Sequence, residues 1–298
     1  MIDASQRDIL RRFLFEPHPI RGEWVHLDAT WQAVLERETY PHPIRDLLGQ
    51  AVAAAALLTS TLKIDGRLTL QLIGGSVLKV LVVQCTSDLE IRAVARWEGD
   101  PRGQDFHGLV GDGQLSITIE KIDERKRYQG VVPVEGDSLT DSLQSYFRDS
   151  EQLPTRLWLA ADDQQAVGML LQRLPTNPDK MQSNIEDDAW PRVQALGDTV
   201  SQQDLLSWTD SDLLRKVFHE EDVRVFESEP VMFRCSCSRQ RIATVLQTFA
   251  AEELRDMLER EHLEVRCEFC NKAFDFDSVD VERIITEKTH PHSSSSVH

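Results

Sequence analysis

The sequence predicts an α+β protein, in which a large, mostly antiparallel sheet domain with packed helices is followed by a helical linker and a small C-terminal module. Three observations predict this. After Gly66 the hydrophobic pattern switches to period two, and five strand candidates follow one another with Gly, Asp and Ser turn signals between them. Strands in runs, with few helices between, argue for antiparallel α+β rather than a doubly wound parallel sheet. "LPTNPDK" (Leu174 to Lys180) breaks the chain with two prolines, and the composition beyond it turns acidic. Four of the five cysteines then fall between positions 235 and 270. The expected organisation is a core domain over 1–178, an acidic helical linker over 179–230, a cysteine-bearing module over 231–287 and a low-complexity, disordered tail over 288–298.

Each element has a local reason. "RGEWVHL" (Arg21 to Leu27) alternates as a strand does, and "DATWQAVLERE" has helical spacing with Asp28 as its N-cap. "PIRDLLGQAVAAAALLTSTLK" carries Pro43 in its first turn and Ile44, Leu47, Leu48, Val52, Ala55 and Leu58 at intervals of three and four. Its alanine-rich middle suits close packing against a sheet. The strand candidates are "RLTLQLI", "VLKVLVV", "EIRAVARW", "LSITIEK" and "YQGVVPV". "GLVGDGQL" (Gly108 to Leu115) reads as a turn, because it precedes a strand and lacks the G-x-G-x-x-G spacing. "DSLTDSLQSYFRDSEQ" returns to helix, and "TRLWLA" and "VGMLLQRLP" to strand. From Met181 to Asp222 ten acids face three bases, with short amphipathic helices expected over Asp187 to Leu196, Gln202 to Trp208 and Ser211 to His219. Helices of that length are marginal alone, so the segment must lean on a neighbour.

Composition narrows the function. Fifty acids against 33 bases give a net charge of -17, which disfavours duplex nucleic acid and anionic membrane as main partners. The longest apolar run, Ala51 to Leu58, is far short of a membrane span, and the N-terminus reads as no signal peptide. Five cysteines, four of them clustered, do not resemble a secreted disulfide framework, so the expected compartment is the reducing cytoplasm.

The cysteines carry the chemistry. Cys235 and Cys237 form C-x-C, and Cys267 and Cys270 form C-x2-C, with 29 residues between the pairs. Four thiolates in a tetrahedron are a structural zinc shell. "VRCEFCNKAFDF" reads as a zinc-knuckle hairpin with "CNK" at its tight turn. Arg234, Arg239, Arg266 and Lys272 flank the cysteines, and positive neighbours favour the thiolate. A module of this size is marginal without a staple, and structural zinc supplies ~10–16 kcal/mol of apparent folding free energy. "CEFC" does not open a helix after a strand, so a thioredoxin-type dithiol is disfavoured. His262 is expected on the surface of the spacer helix "AEELRDMLEREH" rather than as a ligand. Each pair is close enough along the chain to close on itself once metal is gone, so the site suits a second, oxidised state in which the module melts. Spacing alone leaves that switch and a permanently reduced zinc knob both open.

These residues resemble a known family. C-x-C, about thirty residues, then C-x2-C at the end of the chain is similar to the bacterial redox-regulated heat-shock holdase, the 33 kDa chaperonin (heat shock protein 33) family. "LLTSTLKIDGRLTLQL", "YQGVVPVEGDSL", "YFRDSEQLPTRLWL", "GMLLQRLP" and "FHEEDVRVFE" extend the likeness over nearly the whole chain. The resemblance implies a cytoplasmic molecular chaperone that needs no ATP and is not an enzyme. It implies one Zn2+ per reduced, inactive monomer, held by Cys235, Cys237, Cys267 and Cys270. It further implies that peroxide or hypochlorous acid, with heat, releases the zinc and forms the disulfides Cys235–Cys237 and Cys267–Cys270. Module and linker then unfold, and a homodimer holds unfolding client proteins until other chaperones refold them. Cys85 matches no role in the family and is expected to be an ordinary semi-buried thiol.

Two rival classes are weaker. A zinc-knuckle nucleic-acid-binding protein would need a basic module, whereas 231–287 carries twelve acids against eight bases; a structural zinc protein is the alternative that charge leaves open. A zinc hydrolase would need an open coordination position, which four sulfurs do not leave, and a thiol oxidoreductase is disfavoured by the setting of "CEFC" given above. The sequence contains no P-loop, no legible Ser/His/Asp set and no paired carboxylates.

Overall fold

The alanine-rich helix predicted from Pro43 is the axis around which the first unit is built. In the computed structural model, which describes residues 7–16, 18–62, 65–121, 127–175, 188–258 and 262–289, it runs over His42–Thr61 (α2). Thirteen of its residues are buried, among them Ala51 and the run Ala53 to Ala56. Burial on all sides follows from its place between two sheets. It packs on β2 (Ile20–Leu27), β8 (Thr155–Ala161) and β9 (Ala166–Arg173) on one side. On the other it packs on β3 (Gly66–Ile73), β4 (Leu78–Thr86) and β5 (Glu90–Trp97). Small side chains let the helix approach both sheets, which is why alanine rather than leucine fills its middle.

The five predicted strands after Gly66 are all present, with β6 (Gln114–Lys121) and β7 (Arg127–Pro133) completing them. Their sheet has the order β11-β5-β4-β3-β6-β7, antiparallel except where β11 (Met232–Phe233) joins β5 in parallel. The second sheet has the order β10-β1-β2-β9-β8 and is antiparallel throughout. Two of its strands were not anticipated: β1 (Ile9–Glu16) and β10 (Asp222–Pro230). Gly22 on β2 stands opposite Phe13, where a Cβ would lie 2.1 Å from the phenyl ring; only glycine permits that approach.

Several local expectations need correction. Asp28 precedes α1 (Ala29–Leu35) but makes no capping hydrogen bond. Asp8 serves instead, its carboxylate accepting from the backbone N–H groups of Asp28, Ala29 and Thr30 at 2.7–3.1 Å. Within "GLVGDGQL", Gly108 to Val110 belong to a short helix, α3 (Phe106–Val110), capped by Asp105, and the turn follows it at Gly111, φ 60°. The helix expected over 137–152 is α helical only over Leu139–Tyr146 (α4). It then widens into a π turn over Phe147–Glu151, closed by Gln152 in the left-handed region. Cys85 is fully buried on β4 rather than semi-buried, and burial pushes its thiol up to about 12.

The acidic helices appear as α5 (Ala189–Gly197), α6 (Gln202–Ser207) and α7 (Asp210–Val217). Ser201 and Thr209 begin α6 and α7 with capping boxes closed by Asp204 and Asp212, so part of the acidity is helix-start chemistry. The apolar faces lean on the outer side of the second sheet. Val193, Leu205, Leu213, Val217 and Phe218 share one buried cluster with Phe13, Phe15, Trp24 and Met169. Phe218 meets Phe15 edge-on at 5.1 Å.

The chain divides into two compact units between Arg234 and Cys235. Helices α5 to α7, expected in a separate linker, and the residues of β10, placed in that linker without a strand being foreseen, belong to the first unit, because they bury against and pair with its sheet. Residues 231–234, expected in the cysteine module, also belong there, through the pairing of β11 with β5. The expected boundary at 178/179, the Asp187 start of the first linker helix, Lys63 and the tail beyond Thr289 lie outside the described residues. None of the described helices is long and apolar enough to cross a membrane.

Candidate metal centre

The second unit is small, and its chain path is set by three devices. Ser238 caps α8 (Arg239–Leu246), accepting from the Arg241 N–H, and this fixes the chain just after Cys237. The predicted hairpin forms from β12 (His262–Arg266) and β13 (Ala273–Asp277), in register from His262 opposite Asp277 to Arg266 opposite Ala273. Between them Cys267 and Cys270 sit on a knuckle. The Cys267 N–H donates to Lys272 O at 3.0 Å, the Asn271 N–H donates to Cys267 O at 2.8 Å, and Asn271 takes φ 56°. Asparagine tolerates that left-handed conformation, so "CNK" turns the chain without glycine.

Helices α9 (Ala251–Asp256) and α10 (Ser278–Thr289) complete the unit. Its core is Leu246, Leu254, Leu263, Phe274, Phe276, Val281, Ile284 and Ile285, with Cys267 buried among them. The expected spacer helix over 251–262 ends at Asp256, residues 259–261 lie outside the described set, and His262 opens a strand, exposed.

All four cysteines of the sequence motif come together. Their sulfurs lie within 4.8 Å of one another, an arrangement that could hold a metal ion. Cys235 Sγ and Cys267 Sγ are 3.7 Å apart, and Cys237 Sγ and Cys270 Sγ 3.3 Å. Four sulfurs about 2.3 Å from a zinc ion lie about 3.8 Å from each other, so these separations fit a tetrahedral thiolate shell. Backbone N–H groups of Cys270 and Phe269 also point at the Cys267 sulfur and favour its charged form. The residues therefore fit the ion that the spacing suggested, and His262 is not among them.

The reason offered for thiolate formation needs correction. Burial, then the neighbouring thiols Cys270 and Cys235, push Cys237 up, and burial pushes Cys267 up. The flanking bases are engaged elsewhere. Arg239 pairs with Asp280, Arg266 with Glu264 at 2.7 Å, and Lys272 lies 5.4 Å over the Phe274 ring. Arg234, in the first unit, pairs with Glu90. Cys237 and Cys267 resist ionisation, and a cation at the centre of the four sulfurs is the charge that reverses this.

Comparison with known proteins agrees with this fold. The sequence profile of the family described as Hsp33 protein matches residues 8–277. A protein named 33 kDa chaperonin from Nitrosococcus oceani is 45% identical over 295 residues, covering 99% of this chain and 100% of its own. Another of that name from Methylobacillus flagellatus is 45% identical over 281 residues, 94% of each chain. A solved structure titled 33 kDa chaperonin from Thermotoga maritima superposes with a TM-score of 0.80 at 22% identity, over 95% of this chain and 99% of that one, which shows a shared fold. With the profile spanning both units and relatives of this identity aligned almost end to end, the chain belongs to the Hsp33 protein family, whose curated members are chaperones by name.

Proposed function

We propose that this chaperone is a redox-regulated holdase that needs no nucleotide, inactive when reduced and active when oxidised. The observation that carries the reading is the closed set of four sulfurs at the centre of the second unit. Cys235, Cys237, Cys267 and Cys270 would hold one zinc ion, which when bound supplies a cross-link between the start of the unit and its hairpin and keeps the sulfurs ionised.

The chain's own residues make the switch. A cysteine thiolate attacks peroxide: an S–O bond forms, the O–O bond breaks and hydroxide leaves. The partner thiol attacks that sulfenic sulfur: an S–S bond forms, the S–O bond breaks and water leaves, so each disulfide consumes one peroxide. The proposed pairs are Cys235–Cys237 and Cys267–Cys270. The pairing follows chain spacing and the family resemblance rather than sulfur proximity, since the shortest sulfur contacts join the two pairs to each other.

With all four sulfurs in disulfides the ligand set is gone, and the small core of the unit loses its cross-link. Helices α5 to α7 are held on the second sheet by a buried apolar face and by the ion pairs Arg11–Asp210 and Arg156–Asp198. In this reading they loosen next, the protein dimerises, and the uncovered apolar surface holds unfolding clients in the cytoplasm by burial alone. The test is light scattering from a thermally unfolding enzyme. The peroxide-treated chain should suppress aggregation without ATP and the reduced chain should not; equal behaviour of the two would refute the reading.

A further inference from the structure

The four sulfurs come from two stretches of the second unit, and different contacts hold each stretch. Cys267 and Cys270 sit on the knuckle of a hairpin whose register fixes them. Cys235 and Cys237 lead into α8, so their placement depends on where α8 lies. Its far end is set by Leu246, buried in the core of the unit, with Ile242 and Ala243 packed against that core. Its near end carries Arg239, two residues after Cys237.

Arg239 reaches three points on the hairpin side of the unit. Its Nη2 donates to Asp275 O on β13 at 2.7 Å and to the carboxylate of Asp280 on α10. Its guanidinium lies 4.3 Å from the centre of the Phe276 ring. The receiving groups are themselves fixed. Phe276 is fully buried. The Asp280 carboxylate accepts from the Asp277 N–H at 3.3 Å, and the Asp280 N–H donates to the Asp277 carboxylate at 2.7 Å, which locks the start of α10.

A second arginine ties the cysteine segment to the same helix. The Arg241 guanidinium donates to Ser236 O, the carbonyl between Cys235 and Cys237, and the Arg241 N–H donates to the capping Ser238. A chain of contacts therefore runs from the C-x-C segment through α8 to the hairpin without passing through a sulfur. A site assembled before its ligand arrives loses less binding free energy to ordering itself.

We propose that Arg239 is the positioning residue of the metal centre: it holds the C-x-C pair against the hairpin in the absence of metal, and so sets how tightly the four sulfurs bind zinc. Arginine suits the task, because one side chain supplies donors for a carbonyl and a carboxylate and a flat face for a ring. The proposal rests on the four-sulfur reading of the site and concerns the reduced chain. In the proposed switch metal loss precedes unfolding, so Arg239 also sets how readily the switch is thrown.

A second ion pair of the same unit is the control. Arg255 donates to both carboxylate oxygens of Glu282, at 2.6 and 2.9 Å, joining α9 to α10. The two arginines are similarly exposed, 45% for Arg239 and 49% for Arg255, but neither Arg255 nor Glu282 adjoins a cysteine in the chain.

Competition for zinc between the full-length reduced protein and a chromogenic chelator tests the proposal. Arg239→Gln should weaken zinc binding about tenfold or more, and Arg255→Gln should stay within about twofold of the parent. Saturated with cobalt(II), Arg239→Gln should show the thiolate charge-transfer bands of the parent at unchanged positions, so that the ligands are the same and only the affinity has moved. Zinc binding by Arg239→Gln within about twofold of the parent would overturn the proposal. An equal loss in Arg255→Gln would do so too, because general loosening of the unit would then suffice, as would shifted cobalt bands, because the ligand set itself would have changed. Absence of thiolate bands in the parent would overturn the four-sulfur reading, and this proposal with it.

Discussion

Replacing Glu23 by glutamine should stabilise the first unit, and increasingly so as pH rises. Glu23 is 1% exposed, and the charged groups acting on it are Arg21 and Arg12, of which Arg12 already serves Glu229. Burial raises its pKa from 4.5 to about 7, against weaker lowering by Ser60 and the two arginines. A carboxyl whose folded pKa is raised gives stability that is complete below the unfolded pKa and is lost as pH rises through the folded one. Between 4.5 and 7 the unfolded chain releases this proton while the folded chain keeps it, so the folded state loses about 1.4 kcal/mol per pH unit, about 3 kcal/mol in all. About two-fifths of that is already lost at pH 5.5, leaving about 2 kcal/mol to appear between pH 5.5 and pH 8. Glutamine does not titrate and preserves the bond to Ser60. All six tryptophans precede Cys235, so urea unfolding followed by tryptophan fluorescence reports on this unit. The stability difference between Glu23→Gln and the parent should widen by about 2 kcal/mol from pH 5.5 to pH 8. A difference that stays constant with pH would show that Glu23 titrates normally and would refute the reasoning.

Other expectations follow from named contacts. Phe218→Ala removes a side chain 1% exposed that meets Phe15 at 5.1 Å, and should destabilise the docking of α5 to α7 by about 3–5 kcal/mol. Hydrogen exchange should then quicken in α5 to α7 while α2 keeps its protection, and unchanged exchange would show that the helices dock by other contacts. Cys267→Ser should abolish metal binding and loosen the second unit while the tryptophan signal of the first is unchanged. A zinc content of one per chain in that variant would contradict the four-sulfur assignment. Peptide mapping after peroxide should find Cys235 joined to Cys237 and Cys267 to Cys270; a predominance of crossed pairs would place sulfur proximity above chain spacing.

How much of this was legible in the sequence depended on where the reason for each element lay. The helix from Pro43 and the five strands after Gly66 have local reasons, namely a first-turn proline, a period and turn residues. The cysteine cluster was legible because ligand spacing is local chemistry. Strand β1 was not, because "ILRRFLFE" breaks alternation with two arginines, and of its two partners, β2 and β10, the second lies some two hundred residues away. β10 was hidden by its acidic surroundings, and backbone pairing rather than side-chain burial holds it, as its mostly exposed residues show. The burial of both faces of β2 was illegible for a related reason. "RGEWVHL" reads as a strand with one wet face, so Arg21 and Glu23 pass for solvent positions. Helix α2 covers one face and α5 to α7 the other, and every residue of β2 except Arg21 is buried. The flanking bases misled in the opposite way, since near the cysteines in sequence they are spent on acids and rings in space.

The central claim is that oxidation of four clustered thiols and chaperone activity are one event. The direct measurement follows one sample of reduced, zinc-loaded protein through peroxide and mild heat. A chromogenic chelator reads zinc release while aliquots are scored for suppression of aggregation of an unfolding enzyme. The account predicts that one zinc per chain is released and that activity rises in proportion to it, both reversed by dithiothreitol and zinc. Full activity with the metal still bound, or complete zinc loss that leaves the test enzyme aggregating as fast as in buffer, would contradict it.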